Sequence, residues 1–133
     1  MELPVVNHPD YVAKINDDNK FPIKKFGALA EYLLKEGVVK KFYIPKECSI
    51  KTMQTSHSLE YINHIRNKSL DIKLQKKIGF PINDSVARRS FVATGGTVLA
   101  SKLALDSRLA CNTAGGSHHA TFDCGAGYCV FND

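Results

Sequence analysis

Two adjacent histidines, His118 and His119, stand in a glycine-rich segment that reads Cys111-Asn112-Thr113-Ala114-Gly115-Gly116-Ser117-His118-His119-Ala120. Imidazole is the side chain whose ordinary titration lies nearest neutrality, so it passes protons readily. Two imidazoles in one loop can share a site, one transferring a proton and the other tuning the local charge. The glycines before the pair, and again at Gly125 and Gly127, favour a shaped site; a polar loop that merely bonds to itself is the plainer alternative. The chain then runs Gly125-Ala126-Gly127-Tyr128-Cys129-Val130-Phe131-Asn132-Asp133. Here Cys129 reads as a core thiol, and Asn132-Asp133 as the start of a helix.

A loop of this kind must be positioned by regular elements. Residues 109–112 are a short apolar run that reads as a strand leading straight into the histidine loop. Val5-Val6 reads as an edge strand or its start, and 42–44 as another strand, closed by Pro45. Phe26, Leu29, Ala30, Leu33 and Leu34 recur at helical spacing and predict a helix over 24–36 with one apolar face. Glu31 and Lys35 form a favourable i, i+4 pair in it, and Gly37 is a natural stop. Ser49 and Ser58 are placed to cap two short helices, the second turning Leu59, Ile62 and Ile65 inward. The basic stretch 67–79 is weakly periodic and reads as an irregular surface excursion.

The longest predicted helix covers 86–106, capped by Asp84 or Ser85. Gly95 and Gly96 fall in its middle, at a cost of about 1 kcal/mol each relative to alanine. Close approach of another backbone would explain them. Strands separated by helices predict a parallel sheet with helices on its faces. Sites in such sheets lie at the carboxyl ends of strands, where His118 and His119 fall.

Composition sets the outer bounds. The chain has 133 residues, 44% of them hydrophobic and 23% charged, which suits one packed domain or part of a larger one. No apolar run approaches the length of a membrane span. Without a basic-then-apolar leader, the expectation is an intracellular, cytoplasmic protein. The four cysteines, Cys48, Cys111, Cys124 and Cys129, read as free thiols, with the Cys111 sulfur buried beside its strand. The net charge of +5 gathers over 35–46 and 68–77. That reads as a solvated face or as a surface for an anionic partner; no finger spacing or stacking platform supports nucleic-acid reading.

Taken together, these residues resemble the histone deacetylase superfamily, which includes bacterial acetylpolyamine and acetoin-utilisation deacetylase-like proteins. Gly115-Gly116-Ser117-His118-His119-Ala120 followed by Gly127-Tyr128-Cys129-Val130-Phe131-Asn132-Asp133 is similar to the family's double-histidine loop and the Gly-aromatic-Cys run after it. Val6-Asn7-His8-Pro9, Phe21-Pro22-Ile23-Lys24-Lys25-Phe26, His57-Ser58-Leu59-Glu60-Tyr61-Ile62 and Thr94-Gly95-Gly96-Thr97 follow the family's order, and the Phe-Pro segment resembles its smaller bacterial and class IV branch.

The resemblance implies an α/β arginase-deacetylase fold, three layers with a central parallel sheet. Its implied activity is zinc-dependent hydrolysis of N-acyl amines such as acetyl-lysine or acetylpolyamines. On that reading His119 is the general base and His118 its electrostatic assistant. Gly127 and Tyr128 line the acyl channel, with tyrosine where most members carry phenylalanine. Asp84 is the nearest candidate for the acidic residue that grips the substrate backbone.

The resemblance also implies metal ligands, an aspartate and a histidine on a following strand and a later aspartate, together with an oxyanion-stabilising tyrosine. On that reading all would lie beyond Asp133, and no Asp-x-His occurs in this chain. The expectation is therefore the N-terminal part, 1–133, of one deacetylase-like domain. Two alternatives stand beside it. One is an inactive chain acting as an interaction or homo-oligomerisation module. The other is a small zinc domain built from Cys124, Cys129 and His118.

Overall fold

The computed structural model describes residues 2–133. Its organising element is the long helix predicted from 86–106. It is α5, Asp84–Ser107, and lies against the start and the end of the chain. The other helices are α1 (Lys25–Lys35), α2 (Ile50–Met53), α3 (Leu59–Arg66) and α4 (Ile72–Ile78). A short 3-10 turn over Pro9–Tyr11, which His8 caps through Nδ1, packs on α5 and α1.

The sheet is small and parallel. Strand β1, Val5–Val6, pairs with β2, Cys111–Asn112, in the register Val5 to Cys111 and Val6 to Asn112. On its other side Val6 forms a parallel bridge with Tyr43, closed by Tyr43 N–H to Val5 O and Asn7 N–H to Tyr43 O. Val5-Val6 is therefore the inner strand, not the edge. The expected strand at 42–44 contracts to that single bridge, because Pro45 ends it. The predicted class holds: a mixed α/β fold with a small parallel sheet flanked by helices.

The caps explain most helix starts. Ser49 Oγ accepts the Thr52 N–H and Ser58 Oγ the Tyr61 N–H, as their positions predict. On α5 the cap is Asn83, whose Oδ1 accepts the Val86 N–H at 2.9 Å; Asp84 and Ser85 already belong to the helix. The stretch 67–79 is not irregular. It holds α4, capped by Asp71 and ended by Gly79 at φ 95°.

The core forms where α3 and the first half of α5 meet the end of the chain. Ile62, Ile65, Phe91 and Val92 are fully buried, and Phe131 packs edgewise on Tyr61 and against Phe91. Burial stops halfway along α5. Residues 86–96 include an almost unbroken buried run, whereas Leu105 is 85% exposed. Val38, Ile44 and Leu109 are exposed on the same terms. The apolar stripe of α1 is only half used: Phe26 and Ala30 are buried, while Leu29 and Leu34 are exposed. No helix among the described residues is long and apolar enough to cross a membrane.

The glycine pair of α5 does what its position predicts. A Cβ on Gly95 would collide with the Lys46 carbonyl oxygen, and one on Gly96 with the Tyr11 hydroxyl and the Asn112 amide. Gly95 lets the 46–48 segment lie on the helix, where Cys48 N–H donates to Phe91 O. Gly96 admits the Tyr11–Asn112 hydrogen bond at 2.9 Å, which joins the chain start to β2.

Candidate active site

The histidine loop leaves the carboxyl end of β2, as the parallel-sheet argument requires. Thr113 N–H continues the ladder to Val6 O, and its buried hydroxyl donates to Asn7 Oδ1 at 2.7 Å. Gly115, at φ 69°, then turns the chain out, with its N–H on Asn112 O. His118 and His119 follow, both exposed, with ring centroids 4.1 Å apart at 42°. They open on a groove of about 460 Å³ whose other walls include Phe26 and Leu29 of α1, Arg89 of α5, and Gly127-Tyr128. This gives exposed Leu29 a place in a wall rather than in the core.

Asn132-Asp133, read from sequence as the entry to a helix, clamp this loop. Asp133 Oδ1 accepts the Ser117 N–H at 2.8 Å, and Asp133 N–H returns to Ser117 O. Its Oδ2 accepts the Thr97 hydroxyl at 2.7 Å, which ties the clamp to α5. Asn132 Nδ2 donates to the carbonyls of His118 and Ala120. Residues 12–16 positions apart in sequence thus hold both sides of the histidine pair. The sequence signal was the polar pair directly after the apolar Val130-Phe131.

His57 fixes the clamp from beneath. It is fully buried; Nδ1 lies 3.3 Å from Phe122 O, and Nε2 accepts the Asn132 N–H at 2.9 Å. Together these bonds require the neutral ring with its proton on Nδ1. Burial depresses the His57 pKa below the ordinary histidine value, against the opposing pull of the Phe122 and Thr121 carbonyls. The stability it confers is complete above the unfolded value, about 6.5. Below that, the unfolded chain takes up a proton that the folded ring resists, and stability falls as pH drops toward the folded value. Denaturant midpoints measured from pH 7.5 down to 5 should decline, and His57→Gln should flatten that decline. An equal decline in the variant would remove His57 as its source.

Gly127 and Tyr128 are shaped by α4. Both adopt the left-handed region, φ 53° and 64°, which is costly for a tyrosine. Their N–H groups reach the Lys77 and Ile78 carbonyls, two of the acceptors left open at the end of a helix. A Cβ on Gly127 would lie 3.1 Å from His119 Cδ2, so glycine lets the chain pass close beside the ring. The Tyr128 ring packs against Phe21 and Phe80 and lies over Gly79.

The structure thus brings His118, His119, Gly127 and Tyr128 to one groove. It does not bring Asp84. That carboxylate sits in the first turn of α5, 90% exposed, paired with Lys68 Nζ at 2.8 Å, and it lines no wall of the groove. Another hollow, of about 610 Å³, lies beside residues 12–25; it is lined by part of the Phe-Pro segment but by none of the candidate catalytic or substrate-binding residues. The four cysteines are free, but Cys111 is exposed rather than buried, because β2 is an edge strand here. Among the described residues no group of three or more histidine, cysteine or acidic side chains is arranged to hold a metal ion. The residues present therefore do not fit a zinc site, which removes the small Cys/His zinc domain.

The histone deacetylase domain family matches residues 20–133. The chain belongs to that family. An uncharacterised protein of Picosynechococcus is 41% identical over the whole chain, which covers 45% of that protein. Histone deacetylase 2 of Arabidopsis thaliana is 29% identical across 85% of the chain and 31% of the relative. Histone deacetylase 8 of Xenopus tropicalis is 26% identical across 98% of the chain and 39% of the relative. The chain spans less than half the length of these relatives.

Solved structures agree on the fold. An HDAC homolog complexed with SAHA superposes with a TM-score of 0.80 at 21% identity, over 99% of this chain and 39% of that one. The HD domain of HDA15 does so at 0.74 and 15%, over 99% and 40%. The histone deacetylase fold is thus present as an incomplete arginase-deacetylase-like domain.

Proposed function

We propose that this chain supplies the proton-transfer half of a centre that hydrolyses N-acyl amines, of the acetyl-lysine or acetylpolyamine type. The observation that carries the proposal is the His118–His119 pair, held at 4.1 Å between rings in a groove and clamped by Asn132 and Asp133. In the reaction an oxygen of water bonds to the acyl carbon and the carbon–nitrogen bond breaks. His119, beside Gly127, takes a proton from the water and returns one to the leaving amine, while His118 stabilises the charge that develops on its neighbour. Gly127, Tyr128 and Phe21 give the acyl chain an apolar wall.

Zinc belongs to the proposal through family membership alone. The ligands proposed for it lie outside the described residues, and the chain by itself is proposed to be inactive. The test is release of free amine from acetyl-lysine peptides and acetylspermidine by the full-length gene product supplied with zinc. Turnover that a chelator abolishes supports the reading. Absence of turnover in metal-loaded, folded protein overturns it and leaves the interaction-module alternative.

A further inference from the structure

Among the described residues Arg89 is a charge without a counter-ion. It is 7% exposed, on the inner side of α5, yet it enters no ion pair among the described residues. Its one hydrogen bond among the described residues uses Nε, which donates to the Tyr11 carbonyl at 2.8 Å. The guanidinium carbon stands 4.8 Å from the centre of the Phe26 ring, so aromatic surface rather than water covers one face. A buried cation is costly unless an anion meets it. The carboxylate that acts on it through space, Asp133, is held by Ser117 N–H and the Thr97 hydroxyl and forms no ion pair with it.

Arg89 also lines the groove that holds His118 and His119. Lys25 lines it too, with Nζ 5.1 Å from the centres of the Phe21 and Phe26 rings. No aspartate or glutamate is among the lining residues. The groove therefore has a positive floor and a positive rim, and no acid in its lining; the carboxylate nearest to it, Asp133, lies behind the loop at Ser117.

We propose that this groove selects an acyl group that ends in a carboxylate, the monoamide of a dicarboxylic acid, by pairing that carboxylate with Arg89 and Lys25. The inference rests on the hydrolase reading for the direction in which the acyl chain enters. The terminal N–H groups of the guanidinium form a planar fork that matches a carboxylate. Lys25 adds a point charge from a flexible stem. A neutral acetyl group reaches neither.

Binding needs no turnover, so calorimetric titration of the chain separates this proposal from the hydrolase reading. Three peptides serve as probes: N-acetyl-lysine, N-succinyl-lysine, and the neutral succinamide analogue of the latter. The succinyl peptide should bind at least about tenfold more tightly than either neutral probe, the scale of a hydrogen bond to a charged group. The gap should narrow as salt is raised. Arg89→Lys, which keeps the charge but loses the fork, and Lys25→Met should each reduce it; Lys25 is exposed, so that variant is expected to fold even if Arg89→Lys does not. Equal affinity for the three peptides, or a gap untouched in every folded variant, would overturn the proposal. So would free acetate displacing the succinyl peptide as well as free succinate does, since the groove would then hold any small carboxylate. Failure of hydrolysis with the binding preference intact would count against the hydrolase reading only.

Discussion

Replacing His119 by alanine in the zinc-supplied, full-length protein should lower acyl-lysine hydrolysis by about 10²–10⁴-fold, the usual worth of a positioned acid–base group. The geometry says why the loss falls on turnover rather than on binding. The His119 ring stands beside Gly127 and against His118, on one side of the groove. The apolar wall that would hold an acyl chain comes from other residues, Phe21 and Tyr128. So kcat should fall while KM stays near its parent value. Removing the ring leaves an opening next to a glycine, and added imidazole should restore part of the rate; a purely structural defect would not respond to it. His118→Ala should cost less, because the proposed mechanism gives that ring the charge and His119 the proton. Asn132→Ala should also lower kcat, by releasing the carbonyls of His118 and Ala120. A His119→Ala enzyme that retains the parent rate would end the assignment.

How far the sequence reveals such a site depends on whether the holding groups are local. The serine caps at Ser49 and Ser58 are legible because a cap acts within three residues of itself. The glycine pair of α5 is legible because glycine at the middle of a long helix demands a steric reason. What escapes is the support from a distance. Helix α4 is hidden by lysines that dilute its apolar period, although Asp71 and Gly79 mark both its ends. Yet its last carbonyls hold Gly127 and Tyr128 in place.

The clamp is hidden for the same reason. Asn132-Asp133 bind a loop 12–16 positions earlier, and His57 grips Asn132 from 75 positions away. Nothing in a one-dimensional pattern specifies those closures. Exposure misleads in the other direction. The periodicity of α1 predicts burial for Leu29 and Leu34, but periodicity states only which side they share, and here only Phe26 and Ala30 of that stripe are buried while Leu29 lines a groove and Leu34 is exposed. The cap expected at Asp84 or Ser85 falls on Asn83, one position earlier, and the Asp84 carboxylate turns outward to Lys68.

The glycines of the helices yield the sharpest contrast in stability. Helix propensity alone predicts that any mid-helix Gly→Ala stabilises by about 1 kcal/mol. Gly27 of α1 should follow that rule, because its added methyl would meet only the Val12 Cγ2 at 3.2 Å, the free end of an exposed side chain that can rotate aside. Gly95 should break it. There the methyl would run into the Lys46 carbonyl, a backbone group fixed by the neighbouring Cys48–Phe91 hydrogen bond, and neither partner has a soft coordinate. Forcing the segments apart costs about 1–3 kcal/mol, which exceeds the propensity gain.

Gly96→Ala should cost as much and reach further. Its methyl would displace the Tyr11 hydroxyl and the Asn112 amide, and Asn112 Nδ2 lies 3.4 Å from the Thr97 hydroxyl that binds Asp133. The disturbance therefore enters the clamp on the histidine loop. Urea midpoints should rise for Gly27→Ala and fall for Gly95→Ala and Gly96→Ala. Of the latter two, only Gly96→Ala should also loosen the loop, seen as faster amide exchange at Ser117. A stabilised Gly95→Ala would mean that α5 and the 46–48 segment do not lie in contact, and the packing that places Arg89 and Thr97 would have to be redrawn.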